Sequence, residues 1–79
     1  MDKKIYEYIA IVSNNDTWQG KPIFEILNKN SSEPLGRIFY YPSWGRFVVQ
    51  YNPDAIFDAS CIKDIVDFLD NEIAKIEKE

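Results

Sequence analysis

The chain has 79 residues, of which 46% are hydrophobic and 15% are aromatic. This length fits one small domain, and the composition is typical of a chain that builds a hydrophobic core. Nine Lys and Arg against thirteen Asp and Glu give a net charge of −4. This balance argues against a general nucleic-acid binder, because phosphate contacts require an excess of basic side chains. We therefore expect a single domain that spans residues 1–79.

The residue types that carry most catalysis and metal binding are scarce. The chain has no His and one Cys, Cys61, so it lacks the usual proton shuttle, the commonest metal ligand and a base that could activate the thiol. We therefore expect no enzyme, no cofactor and no metal site, and we interpret Cys61 as a small buried hydrophobic residue. The N-terminal residues lack an export signal and no apolar stretch is long enough for a membrane span, which predicts a cytoplasmic protein.

The first half of the chain predicts β-strands. Residues 3–13 are rich in Ile, Tyr and Val, and the polar residues 14–17 that follow predict a turn or loop. Three more strands, with turn-forming residues between them, are predicted at residues 22–29, 35–41 and 46–51. Gly36 is expected at a bulge or at a close backbone approach.

The last two predicted strands can be aligned through a turn at residues 42–45. This register places Tyr41 opposite Arg46 and Ile38 opposite Val49, and a slip by one residue would mix apolar and polar faces. One face is then the candidate core face, with Ile38, Tyr40, Phe47, Val49 and Tyr51. The other face is mixed and carries Arg37, Phe39, Tyr41, Arg46, Val48 and Gln50.

The acidic last part of the chain predicts a helix. Apolar residues recur there at spacings of three and four, in the order Ile62, Ile65, Val66, Leu69, Ile73 and Ile76. Asp58 is a suitable N-cap, and Pro53 prevents an earlier start. The predicted fold is α+β, a four-stranded antiparallel meander sheet with one C-terminal helix across one face. Ile65, Leu69 and Ile73 are expected to pack on Ile38, Phe47 and Val49.

The densest functional signal is a cluster of six aromatic residues within residues 39–51. Adjacent Tyr40 and Tyr41 must point to opposite faces of a strand, and Trp44 lies in a turn, so the core cannot hold them all. Trp, Tyr and Arg dominate binding hot spots. The predicted partner-binding surface therefore comprises Trp44, Tyr41, Arg37, Arg46 and Phe39. Such a face also resembles single-strand nucleic-acid platforms, although two arginines give it little electrostatic support.

Two further hypotheses concern other surfaces. Residues 1–50 carry six Lys or Arg and five Asp or Glu, whereas residues 51–79 carry three and eight. Asp64, Asp67 and Asp70 on the helix are therefore a second candidate surface, either a solvated face or a docking site for a basic partner. The long first strand would leave a weakly protected sheet edge, which favours a symmetric homodimer formed through strand pairing or through the aromatic face.

Two segments of this sequence form a distinctive combination. They are Leu35-Gly36-Arg37-Ile38 with Tyr40-Tyr41-Pro42-Ser43-Trp44 and Phe47-Val48-Val49, and Ile56-Phe57-Asp58-Ala59-Ser60-Cys61-Ile62-Lys63-Asp64-Ile65 with Phe68. Together they resemble a group of small uncharacterised proteins of bacteriophages, prophages and other bacterial mobile elements. The group has no assigned activity, so the resemblance implies only a bacterial or phage-infected cytoplasm and action on host or phage machinery. We expect a module that binds another protein; the alternatives are a nucleic-acid accessory protein and a structural homodimer.

Overall fold

The computed structural model describes residues 3–77 as one antiparallel sheet followed by a helical segment. The five strands have the same order in the chain and in the sheet: β1 (Lys3–Ile5), β2 (Ile9–Trp18), β3 (Lys21–Asn28), β4 (Pro34–Tyr41) and β5 (Arg46–Tyr51). The helices are α1 (Ala59–Asp67) and α2 (Ile73–Glu77), joined by π-helical residues Phe68–Glu72. The predicted α+β class, antiparallel meander and C-terminal helix are confirmed, but the prediction of four strands is wrong.

The additional strand arises because the N-terminal segment bends. β1 ends at Ile5 and β2 begins at Ile9. Between them, the backbone N–H of Tyr6 donates to the carbonyl oxygen of Ile9 at 2.8 Å and closes a turn. The segment predicted as one strand over residues 3–13 is therefore a tight hairpin. Its alternating apolar residues suit either arrangement, and only the pairing of β1 with β2 distinguishes them.

The polar residues predicted as a loop instead form a bulge inside β2. The pairing of β2 with β3 shifts between Ser13 and Thr17, and Asn15 has a φ of 65°. Side chains stabilise this bulge, because the N–H of Asn15 donates to Oγ of Ser13 and the N–H of Asp16 donates to Oδ1 of Asn14. Asn and Asp tolerate such conformations and bond their own backbone, so here they interrupt the pairing without ending the strand.

Gly36 lies where two strands approach closely, as expected. The pairing of β3 with β4 shifts next to it, between Ile26 and Leu27. A Cβ atom at Gly36 would lie 2.6 Å from the carbonyl oxygen of Gln50 in β5. Only glycine fits this position without moving the backbone.

The helix begins as predicted, but a different face of it is buried. Oδ1 of Asp58 accepts a hydrogen bond from the N–H of Cys61 at 2.9 Å, which confirms the N-cap. Ile62 and Val66, placed in the predicted apolar stripe, are about half exposed. The side chains of the helical segment that are buried are Cys61, Ile65, Phe68, Glu72 and Ile73.

The π-helical turn explains part of this difference. The N–H of Ile73 donates to the carbonyl oxygen of Phe68, a bond that spans five residues instead of four. The wider turn lets Phe68 and Ile73 both face the sheet, where the ring of Phe68 contacts that of Phe24 edge-on at 5.0 Å between centroids. Leu69, expected in the core, is partly buried at its margin.

The core lies between the helical segment and one face of the sheet. Its buried residues are Ile9, Ile11, Phe24, Ile26, Leu35, Ile38, Cys61, Ile65, Phe68 and Ile73. The expected contribution of Ile38 and of Ile65 with Ile73 is confirmed, whereas Phe47 and Val49 pack against the core while partly exposed. The core therefore occupies the middle of the sheet, and β5 lies at its margin.

Candidate functional site

The sheet has one covered and one open face, which we call the inner and the outer face. In β3 the inward residues Phe24 and Ile26 are buried, whereas the outward residues Ile23 and Leu27 keep contact with solvent. The helical segment packs on the inner face. Within residues 3–77 no element covers the outer face. This face therefore presents side chains from several strands to solvent.

The β4–β5 hairpin has the predicted register and supplies most of the predicted site. Tyr41 pairs with Arg46, Phe39 with Val48, and Arg37 with Gln50. Since these residues alternate with inward ones, all six point to the outer face. The strands thus bring Arg37, Phe39, Tyr41 and Arg46 onto one surface, as the sequence predicted.

Trp44 is held in a defined turn at the end of this hairpin. The N–H groups of Trp44 and Gly45 both donate to the carbonyl oxygen of Tyr41, at 3.1 and 2.9 Å, and Gly45 has a φ of 64°. Tyr41 packs edge-on against Trp44, with 5.2 Å between the ring centroids. Trp44 nevertheless remains 67% exposed. The two rings are therefore packed against each other and still accessible to solvent.

Trp18 also belongs to this surface, and the sequence-based interpretation missed it. Trp18 pairs with Lys21 across a two-residue turn, in which Gln19 and Gly20 have φ angles of 54° and 73°. It is 49% exposed. The signal in the sequence was Gly20, which suits the positive φ of a tight hairpin, but the polar residues before Trp18 suggested a loop.

Two adjoining hollows mark the outer face. The first, of about 150 Å³, is lined by Trp18, Ile23, Arg37, Phe39 and Gln50. The second, of about 230 Å³, is lined by Phe39, Tyr41, Trp44, Val48, Val49 and Gln50. Phe39 and Gln50 border both hollows, so the two form one continuous area. We call it the aromatic surface and define it by Trp18, Ile23, Arg37, Phe39, Tyr41, Trp44, Arg46 and Val48.

One ion pair crosses this part of the sheet. Nε of Arg37 lies 3.8 Å from Oε2 of Glu25, and Nδ2 of Asn14 donates to the same carboxylate oxygen at 3.1 Å. Arg37 is thereby held over β3 beside Phe39. Because Arg46 at the hairpin end is exposed as well, the aromatic surface carries a small positive charge although the chain as a whole is acidic.

The second candidate surface, on the helix, is less uniform than predicted. Asp67 accepts hydrogen bonds from the hydroxyl of Tyr6 at 2.8 Å and from Nδ2 of Asn71 at 2.7 Å. These bonds lower the pKa of the Asp67 carboxyl, and the bond from Tyr6 has the larger effect. Burial and the bond to Asp67 raise the pKa of the Tyr6 hydroxyl. Asp64 is partly buried and Asp70 is exposed in the π-helical turn. Asp67 thus ties the helix to the N-terminal hairpin.

The remaining chemistry-bearing residue is Cys61. It is buried at the start of α1, and this burial raises the pKa of its thiol. A protonated buried thiol behaves as a small hydrophobic side chain. Among the described residues 3–77, no cluster of three or more His, Cys, Asp or Glu could hold a metal ion. The aromatic surface is therefore the candidate functional site.

Comparison with known proteins shows similarity to a phage protein. The chain is 28% identical to an uncharacterised 9.3 kDa protein of Acholeplasma phage L2, over an 81-position alignment that covers all of both chains. The chain therefore resembles small uncharacterised phage proteins. No family model matches the sequence, and no solved structure matches the chain. No helix in the described part of the chain is long and apolar enough to cross a membrane.

Proposed function

We propose that this chain is a protein-binding module whose binding site is the aromatic surface. The observation that supports it is the exposure of both tryptophans of the chain, with Tyr41 and Phe39 between them, on the open face of the sheet. Exposed apolar patches of this kind reduce solubility and usually mark an interaction site. Trp and Tyr are also the residues that contribute most to protein interfaces.

The charges on the surface indicate the chemistry of the partner. Arg37 and Arg46 flank the aromatic side chains, and Glu25 offsets only Arg37. We therefore infer a partner that inserts apolar side chains into the hollows and places a carboxylate beside Arg46. The similarity to a phage protein suggests that this partner is a protein of the phage or of its bacterial host.

Single-stranded nucleic acid is the competing ligand, because exposed rings beside arginines can stack on bases. Two features favour a protein. Ile23 and Val48 line the hollows and suit aliphatic side chains better than stacked bases. The carboxylate of Glu25 lies beside the surface and offsets Arg37, so the surface has too little positive charge to hold a chain of phosphates on a protein with a net charge of −4.

Intrinsic fluorescence provides a direct test, since both tryptophans lie in the aromatic surface. A partner captured from infected host cells would be purified and titrated against the chain, and we expect tryptophan emission to shift to shorter wavelength as the rings lose water. Trp44→Ala should fold normally and weaken this binding by about 30-fold or more, the scale of a hot-spot residue. Ile56→Ala is the matched control, since Ile56 is exposed in the connection between β5 and α1 and lines neither hollow.

The same titration separates the alternatives. Binding to the protein should change little between 50 and 300 mM salt, because most of the contact is apolar. Tight binding to an oligothymidylate, with an affinity that falls steeply as salt rises, would replace the proposal by nucleic-acid binding. Equal affinities of wild type and Trp44→Ala for the purified partner would rule out the aromatic surface as its site.

A further inference from the structure

The two edges of the sheet differ in how well they are protected. β1, at one edge, has three residues, two of which are the lysines Lys3 and Lys4. Short charged strands of this kind discourage pairing with another chain. The N-terminal edge, which the sequence predicted to be weakly protected against pairing, is therefore the better protected of the two. β5, at the other edge, has six residues with one charge, Arg46, at its beginning, and it contains no proline.

β5 is also regular, which makes its free edge suitable for pairing. All six of its residues pair with β4 without a shift in register. Beyond them, the N–H of Asn52 donates to the carbonyl oxygen of Leu35 at 2.9 Å and continues the ladder. Every second residue of an antiparallel strand bonds to the same neighbour, so Arg46, Val48 and Gln50 also bond to β4. The backbone groups directed to the free edge therefore belong to Phe47, Val49 and Tyr51.

We propose that two copies of this chain pair antiparallel through β5 and form one continuous ten-stranded sheet. The two-fold axis would pass at Val49, which then lies opposite Val49 of the second copy, while Phe47 lies opposite Tyr51. Each of the three residue pairs would exchange two backbone hydrogen bonds. A slip by one residue would place inner-face side chains opposite outer-face ones, and a slip by two would lose one bonded pair.

The side chains of β5 fit this arrangement. Phe47 and Val49 face the core but are only partly buried, and Tyr51 is exposed, so pairing would cover apolar surface that the helix leaves open. Arg46 would lie opposite Asn52 of the second copy, and no like charges meet. Aromatic and β-branched residues opposite one another stabilise antiparallel pairs. Short length, proline and a bulge are thus missing from β5 and its one charge lies at its first residue, while complementary side chains are present.

This dimer is independent of the proposed function. A two-fold axis perpendicular to the sheet places both helices on one side and both outer faces on the other. The aromatic surfaces of the two copies would remain open and adjoin along Val48 and Gln50. A partner with two contact segments could then bind both copies, with an avidity that exceeds the affinity of one.

Residue-resolved hydrogen exchange by NMR tests the pairing on the full-length chain. Sedimentation equilibrium would first define the concentrations at which monomer and dimer predominate. We expect the amides of Phe47, Val49 and Tyr51 to exchange fast in the monomer and at least tenfold more slowly in the dimer. The amides of Val48 and Gln50 bond to β4 in both states and provide the internal control.

A pair of variants gives an independent readout. Tyr51→Pro removes the side chain and the edge N–H, which β4 does not need, whereas Tyr51→Ala removes the side chain alone. We expect the dimer dissociation constant of Tyr51→Pro to exceed that of Tyr51→Ala by roughly tenfold, since two intermolecular hydrogen bonds are lost. A chain that stays monomeric at several hundred micromolar would overturn the proposal. A dimer that leaves the three edge amides unprotected would overturn it as well, because another surface would then form the contact.

Discussion

Phe68 makes the most informative test of how the helix packs. Its side chain is 0% exposed and its ring contacts that of Phe24 edge-on. Truncation of such a residue to Ala costs about 3–5 kcal/mol, through lost burial and the cavity that remains. A chain of 79 residues has a free energy of unfolding of roughly 4–12 kcal/mol. We therefore expect Phe68→Ala to lose between a quarter of the stability and all of it.

Two neighbouring residues provide matched controls. Val66 is 48% exposed, so Val66→Ala should change the free energy of unfolding by less than about 0.5 kcal/mol. Leu69 lies at the margin of the core, and Leu69→Ala should fall between the two. The periodicity of the sequence alone predicts the opposite order, because it places Val66 and Leu69 in the apolar stripe and omits Phe68.

Urea unfolding followed by circular dichroism measures all three variants. The midpoint should fall in the order wild type, Val66→Ala, Leu69→Ala, Phe68→Ala, with an unchanged slope. If Phe68→Ala does not fold, Phe68→Leu retains part of the buried volume and keeps the comparison measurable. A loss for Val66→Ala or Leu69→Ala as large as that for the Phe68 variant would refute the packing described here.

Three further predictions concern single contacts. Gly36→Ala should cost roughly 1–3 kcal/mol in urea unfolding, because its Cβ would lie 2.6 Å from the carbonyl oxygen of Gln50; an unchanged midpoint would mean that the strands separate freely. The pKa of Tyr6 is raised in the folded chain, so its protonated hydroxyl contributes stability that is fully present below the ordinary tyrosine pKa of about 10 and is lost as pH rises further. Tyr6→Phe should therefore lose less of its urea midpoint at alkaline pH than wild type. The pKa of Asp67 is lowered in the folded chain, so its carboxylate contributes stability above the ordinary aspartate pKa, and this stability is lost as pH falls through the lowered value. Asp67→Asn should therefore lose less of its urea midpoint at acid pH than wild type. A profile of midpoint against pH identical to that of wild type would contradict the prediction for either variant.

The features that the sequence determined by itself are those that depend on neighbouring residues. The register of β4 with β5 follows from the turn at residues 42–45 and from the contrast between the two faces. The N-cap at Asp58 follows from one side chain and the N–H of Cys61. Most of the aromatic surface could be predicted for the same reason, since Arg37, Phe39 and Tyr41 alternate along a single strand.

The features that only the tertiary structure decided depend on contacts between distant residues. The composition of residues 14–17 predicts a loop, and these residues belong to β2 because they lie along β3. The continued strand places Trp18 in the aromatic surface beside Ile23. The buried face of the helix depends on Phe24 and on the π-helical turn. The helix is also bound to the turn between β1 and β2 by a hydrogen bond between Tyr6 and Asp67, 61 positions apart. Local periodicity allows several faces and strand pairings of similar energy, and burial against the rest of the chain selects one of them.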